Sequence, residues 1–169
     1  MLCPGCFLEN SVSTSCLGCG YDATLKRSPI VLPHLNQLSS GRYLVGRLLA
    51  KPGGFGITYL GLDQVLGSRV AIKEYLPRDI AGRDSDQLTV IPHASEEHEN
   101  FNYGLDKFLE EARTLAQLDH PNIVRVRDFF KANGTAYIVM DYYDGLTLSE
   151  YLSLQPSRKM PESQAMQCM

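Results

Sequence analysis

The sequence has no long hydrophobic run: nothing in it approaches the roughly 18 apolar residues that a membrane span requires. Its start lacks the basic segment and apolar core of a signal peptide. An excess of one charge is also missing. Sixteen Lys and Arg stand against nineteen Asp and Glu, a formal net charge of −3, so bulk electrostatics makes no case for binding nucleic acid or an anionic membrane. Cysteine is nearly absent beyond the first 19 positions, where only Cys168 remains of the five. These absences make a reducing, cytoplasmic location the default. Disorder is excluded by composition, 44% hydrophobic and 21% charged. The 169 residues suffice for one medium domain or two small ones.

The first 22 residues hold Cys3-Pro-Gly-Cys6 and Cys16-Leu-Gly-Cys19. Two Cys-x-x-Cys turns this close together suit a tetrahedral thiolate site. Thiolates bind Zn²⁺ well because it is borderline-soft and imposes no geometry of its own. So short a segment has almost no core, and metal would supply its folding energy. Residues 1–22 therefore read as a zinc ribbon with Cys3, Cys6, Cys16 and Cys19 as ligands. Two disulfides or a redox pair are the alternatives, disfavoured by the compartment and by the duplication of the motif. Residues 23–41 are rich in Pro, Ser and Asn and read as a linker or extended lead-in.

From Tyr43 the pattern changes. Tyr43–Leu49, Ile57–Leu62 and Arg69–Tyr75 read as three strands, rich in β-branched and aromatic residues. Between the first two lies Gly53-Gly54-Phe55-Gly56, where the backbone can approach a ligand closely because no Cβ intervenes. The third carries Val70-Ala71-Ile72-Lys73. A glycine-rich turn joining two strands, followed by a strand ending in lysine, is what covering and neutralising a triphosphate requires. With these residues the sequence resembles a protein kinase of the bacterial serine/threonine branch, from about Tyr43 onward. Gly53 and Gly56 match the second and third glycines of the kinase loop pattern, and Thr58 stands at its valine position. Lys51, followed by Pro52, replaces the first glycine.

Residues 76–95 read as loop. Ser95 is a candidate N-cap, with Glu96 and Glu97 in the first turn. Phe101, Leu105, Phe108, Leu109, Ala112 and Leu115 then recur at helical spacing. Gly104 weakens this helix locally, and His120-Pro121 ends it. The resemblance implies that Glu111 pairs with Lys73; Glu110, the neighbouring alternative, points about 100° away around the helix. Asn133-Gly134 between two apolar runs predicts a hairpin. By resemblance Met140 closes the back of an adenine pocket, Asp141 to Tyr143 form the interlobe hinge, and Ala71 packs above the ring. The run Arg127-Asp128-Phe129-Phe130 imitates catalytic motifs but falls where the family has a strand, so it reads as structural. Thr147–Leu154 is a short helix capped by Thr147 and broken at Pro156, and Pro161-Glu162 starts another. His34, His93 and His98 read as surface residues, and Cys168 as a free thiol.

These readings give an α+β chain. Its parts are a zinc ribbon (1–22), a linker (23–41), a kinase-like N-lobe with a five-stranded antiparallel sheet and one main helix (42–145), and the start of a helical C-lobe (146–169). The resemblance implies transfer of the γ-phosphate of Mg-ATP to Ser or Thr hydroxyls of a protein substrate. Its cofactor-site residues here are Gly53, Gly54, Phe55, Gly56, Thr58, Ala71, Lys73, Met140, Asp141 and Tyr143; the family's Mg²⁺ ligands lie in a second lobe with no matching motif here. Lys73 and Glu111 carry the catalytic roles, and residues 1–169 alone are expected to be inactive. A reading from a different class stays open, a non-catalytic module that engages a partner through the ribbon and the lobe surface.

Overall fold

A computed structural model describes residues 1–9, 14–22, 24–155 and 159–160. The expectations for Pro156, Pro161-Glu162 and Cys168 lie outside the described residues. Among those described, no helix is long and apolar enough to cross a membrane.

The strands are β1 (Gln37–Leu38), β2 (Tyr43–Leu48), β3 (Gly56–Asp63), β4 (Ser68–Tyr75), β5 (Ala81–Arg83), β6 (Val90–Pro92), β7 (Val126–Ala132) and β8 (Thr135–Asp141). The helices are α1 (His98–Ala116) and α2 (Leu148–Leu154). One antiparallel sheet runs in the order β1-β2-β3-β4-β8-β7, and β5 pairs with β6. The expected five-stranded sheet thus gains a sixth strand, two residues long, on its β2 edge. The β7–β8 turn has φ 52° at Asn133 and 69° at Gly134, the two positive values that a two-residue hairpin matching strand twist demands.

Residues that face each other across an antiparallel pair share a sheet face, and alternate residues of a strand do too. The pairings Leu44↔Leu62, Leu60↔Ala71, Thr58↔Lys73 and Ala71↔Met140 therefore place these side chains on one face. At one end of that face α1 packs through Phe101, Leu105, Phe108, Leu109 and Ala112, all buried. Tyr75 meets Phe101 and Phe108 at ring distances of 5.2 and 5.5 Å. At the other end sits the cysteine-bearing segment, whose Phe7 is buried with Leu44 and Leu60. The Arg47 N–H donates to the Pro4 carbonyl at 2.8 Å. A Cβ on Gly46 would stand 2.5 Å from that carbonyl oxygen and 2.7 Å from Phe7 Cζ, so only glycine allows this seat.

The opposite face is covered by what the sequence offered as linker and loop. Val31, Leu32 and Leu38 of the lead-in are buried in the main core, and the Leu32 N–H donates to Tyr59 Oη at 3.2 Å. The 76–95 stretch holds the β5–β6 hairpin instead of loop alone, anchored where the Val90 N–H donates to Asn133 O at 2.8 Å. Ser95 does not cap α1 with its side chain. A 3₁₀ turn over Ser95–Glu97 moves the helix start to His98. His34 is half-buried, not a surface residue, with Tyr21 Oη 3.0 Å from its Nε2, while His93 and His98 are exposed. At α2, Thr147 and Glu150 complete a reciprocal capping box.

Candidate functional site

Strand β4 and helix α1 bring Lys73 and Glu111 together. Lys73 Nζ lies 3.3 Å from Glu111 Oε1 and 5.4 Å from the centre of the Phe108 ring. Both partners are part-exposed, 36% and 52%, so the pair contributes little to stability, roughly 0–1 kcal/mol. What it does is hold an ammonium group in a fixed place on the sheet. A cavity of about 500 Å³ opens beside it, walled by Phe55, Tyr75, Phe108 and the two ionic side chains. That volume lies within the usual range for small-molecule pockets, roughly 300–1,000 Å³.

The glycine-rich turn between β2 and β3 is tied down along its length. Gly53 N–H donates to Gly56 O at 3.1 Å, Leu76 N–H to Phe55 O at 3.2 Å and Arg78 N–H to Gly54 O at 3.1 Å. Arg78 adds a side-chain bond, Nε to Gly53 O at 2.9 Å. A Cβ on Gly56 would stand 2.4 Å from Glu74 O, whereas one on Gly54 would meet nothing within 4 Å. Gly56 is thus required by the fold. Gly54 keeps the outer side of the turn bare, and there a ligand can reach the backbone. Phe55 is 82% exposed at the tip.

The remaining predicted residues follow the sheet. Thr58 lies opposite Lys73, and Ala71 is paired on both sides, with Leu60 and with Met140. Asp141 ends β8, its N–H donating to Arg125 O at 3.0 Å and its carboxylate held by Arg127. Tyr143, two residues on, is 69% exposed. Asp128 accepts from Tyr43 Oη at 2.9 Å and from Arg42 Nη1 at 3.4 Å, so the catalytic-looking Arg127-Asp128 run is engaged in holding strands together. Reading the sequence overlooked Arg78, which grips the turn. Nothing marked it, because it lies in a stretch without periodicity. It overlooked Glu74 as well, although alternation along β4 puts that carboxylate on the core side with Val70 and Ile72.

The four cysteines form a second cluster. Their sulfur atoms all lie within 4.8 Å of one another, with Cys3 to Cys19 at 3.7 Å and Cys6 to Cys16 at 3.8 Å. A tetrahedron with Zn–S bonds of about 2.3 Å has sulfurs about 3.8 Å apart, so the donor set fits zinc in kind and in spacing. The N–H of Gly5 points at Cys3 Sγ from 3.3 Å. The N–H groups of Cys19, then Gly18, bring the Cys16 thiol down to about 7, while burial pushes the Cys3 thiol up. The cluster adjoins the end of β8: Gly5, Cys6, Cys19, Arg47, Tyr142 and Asp144 line a common hollow.

Comparison with known proteins converges on this geometry. The protein kinase domain family matches residues 51–169. The serine/threonine-protein kinase PrkC of Bacillus subtilis is 36% identical over 114 residues, 68% of this chain but 14% of PrkC. The serine/threonine-protein kinase PknA of Mycobacterium tuberculosis is 34% identical over 125 residues, 71% of this chain and 24% of PknA. Among solved structures, the apo form of PpkA-294 superposes with a TM-score of 0.74 at 33% identity, covering 82% of this chain and 47% of that one. The PknI kinase domain of M. tuberculosis, 22% identical with a TM-score of 0.55, shares the fold. The chain spans less than a quarter of the length of these two curated relatives, and it belongs to the protein kinase family, among the bacterial serine/threonine kinases.

Proposed function

We propose that the chain is the nucleotide-binding lobe of a serine/threonine protein kinase, whose reaction moves the γ-phosphoryl of Mg-ATP to a protein hydroxyl. The observation that carries this is the Lys73–Glu111 pair, 3.3 Å apart beside the glycine-rich turn. Lys73 neutralises the α- and β-phosphates, and Glu111 orients Lys73. Gly53, Gly54, Phe55 and Gly56 cover the phosphates. Thr58, Ala71 and Met140 wall the adenine, with the Asp141–Tyr143 backbone along its edge. When bound, Mg²⁺ would supply positive charge against the negative charge that develops at the transferring group. The residues that hold it and orient the attacking hydroxyl belong to the second lobe of the fold, and no such motif follows Asp141 in residues 142–169. Transfer therefore needs a chain in which that lobe is complete. Cys3, Cys6, Cys16 and Cys19 hold one structural Zn²⁺, consistent with a reducing cytoplasm.

The test combines binding and turnover. Residues 1–169 should bind a fluorescent ATP analogue weakly and transfer no phosphate from radiolabelled ATP. A form with the second lobe completed should be active. In that form Lys73→Met should abolish most of the rate with the fold intact, and Glu111→Gln should do less harm because it removes no phosphate contact. Robust transfer by residues 1–169, or an unchanged rate in the completed Lys73→Met enzyme, overturns the proposal. A well-folded completed form that binds no nucleotide leaves the non-catalytic interaction module as the reading.

A further inference from the structure

A second cavity, of about 530 Å³, lies where the cysteine-bearing segment, the lead-in and the end of β2 meet. It shares no lining residue with the cavity beside Lys73. Lys26, Arg27, Arg47 and Arg78 all line it, and no carboxylate does. Among the described residues none of the four belongs to an ion pair.

Three of the cations are nonetheless fixed in place. Arg27 donates to the Val31 carbonyl and to Gln87. Arg47 Nη1 donates to Leu48 O at 3.2 Å, and Arg78 Nε donates to Gly53 O at 2.9 Å. Neutral oxygens hold the guanidinium groups still without cancelling their charge. Such preorganised charge costs little further ordering when an anion arrives. His34 faces the same space, and burial, then the Arg27 charge, keep its imidazole below the ordinary range. Apart from Tyr21 and Ser28, the rest of the wall is apolar. Ile30 and Leu48 line it, and Leu25 offers a side chain that is 67% exposed.

We propose that this cavity binds a small phosphate monoester with an apolar or aromatic body. The phosphate meets the guanidinium groups, and the body covers Leu25, Ile30 and Leu48. Guanidinium forks suit a phosphate because they reach two oxygens at once. Two bonds from Arg78 link the site to the glycine-rich turn, but ligand recognition stands apart from the nucleotide site.

Phenyl phosphate is the probe, titrated into ¹⁵N-labelled residues 1–169 with amide shifts as readout. Saturable shifts are expected at Arg47, Leu48 and Arg78. Inorganic phosphate and benzyl alcohol, each carrying half of the chemistry, should bind at least about tenfold more weakly. Arg47→Gln should weaken phenyl phosphate about tenfold, the loss expected for one charge-assisted bond, and Arg47→Lys should retain more of the affinity. Lys26→Gln, at an exposed position, should weaken it about two- to fivefold, and it decides the matter if Arg47→Gln does not fold. Lys73→Met, outside this cavity, should leave the phenyl phosphate shifts at Leu48 unchanged. Three outcomes overturn the proposal: no saturable shift at Leu48 up to about 10 mM, equal affinity for inorganic phosphate, or binding that Lys73→Met abolishes.

Discussion

Replacing Glu74 with glutamine should destabilise the lobe more than any surface change. Glu74 is 0% exposed and follows Lys73 on β4 but points to the opposite face. Its carboxylate accepts from Tyr59 Oη at 2.9 Å, Tyr137 Oη at 2.8 Å and Arg83 Nη2 at 2.5 Å. The Arg83 side chain is 2% exposed and also donates to Ile30 O at 2.8 Å and Leu88 O at 2.7 Å. The lead-in, β3, β4, β5 and β8 thus converge on one buried ion pair. The substitution keeps the shape but leaves the Arg83 charge buried without a counter-charge, which costs about 3–5 kcal/mol. Total stability for a domain of this size is about 5–15 kcal/mol, so the loss is about a fifth of it or more. Urea unfolding followed by far-UV circular dichroism measures it; the chain has no tryptophan for fluorescence. The exposed Lys107–Glu110 pair, at 2.7 Å, is the control: Glu110→Gln should leave the urea midpoint nearly unchanged, because solvent screens the pair. Glu74→Leu with Arg83→Met should recover part of the loss, because an apolar pair removes both charges, although Tyr59 and Tyr137 then lack an acceptor. A Glu74→Gln loss below about 1 kcal/mol with an unchanged urea slope refutes the reasoning.

Three further outcomes are expected. Purified protein should carry about one zinc equivalent, and stripping it should lower the urea midpoint of the lobe itself, because Phe7 leaves Leu44 and Leu60; Gly46→Val should do the same with zinc retained. A lobe indifferent to both would show that the ribbon does not dock. Burial alone would raise the Asp63 carboxyl, but the N–H groups of Leu66 and Val65 and the Arg42 guanidinium outweigh it and hold it below the usual range. Its stabilisation is therefore present above the unfolded value of about 3.9 and is lost as pH falls through the depressed folded value. Asp63→Asn should flatten the acid limb of a midpoint-against-pH curve, and an unaltered limb would count against this. Gly134→Ala should cost at least about 1 kcal/mol, since φ is +69° and a Cβ would stand 2.6 Å from Val90 O; thermal melting at an unchanged temperature would contradict it.

Local chemistry was readable without any coordinates. The two Cys-x-x-Cys turns, the Asn133-Gly134 hairpin, the apolar stripe of α1 and the Val-Ala-Ile-Lys strand each depend on neighbours within a few residues. Glycine at a positive φ, alternation on a strand and the 3.6-residue repeat are properties of short segments. For the same reason three-residue strands escaped notice: β5 and β6 are too short for alternation to stand out, and their pairing is stabilised by Arg83 entering the core and by a bond to the distant Asn133.

By itself the sequence determined the longer strands and the main helix, the hairpin turn, the paired cysteine turns and the placing of Lys73 on a strand and Glu111 on a helix. Only the tertiary structure decided what those elements meet. Gly104 reads along the chain as a weak point in α1, but in the fold a Cβ there would lie 2.1 Å from Tyr75 Oη, which donates to Phe101 O at 3.3 Å. The 23–41 stretch reads as a linker because its prolines and serines carry no repeat, yet Val31 and Leu32 close the core above Glu74 and Arg83. The ribbon reads as a separate module, but the bare backbone at Gly46 admits Pro4 and Phe7 onto the same sheet face as Lys73. The reason is common to all three: a residue's conformational preference is local, whereas burial, charge pairing and close approach depend on chain segments that sequence distance does not bring together.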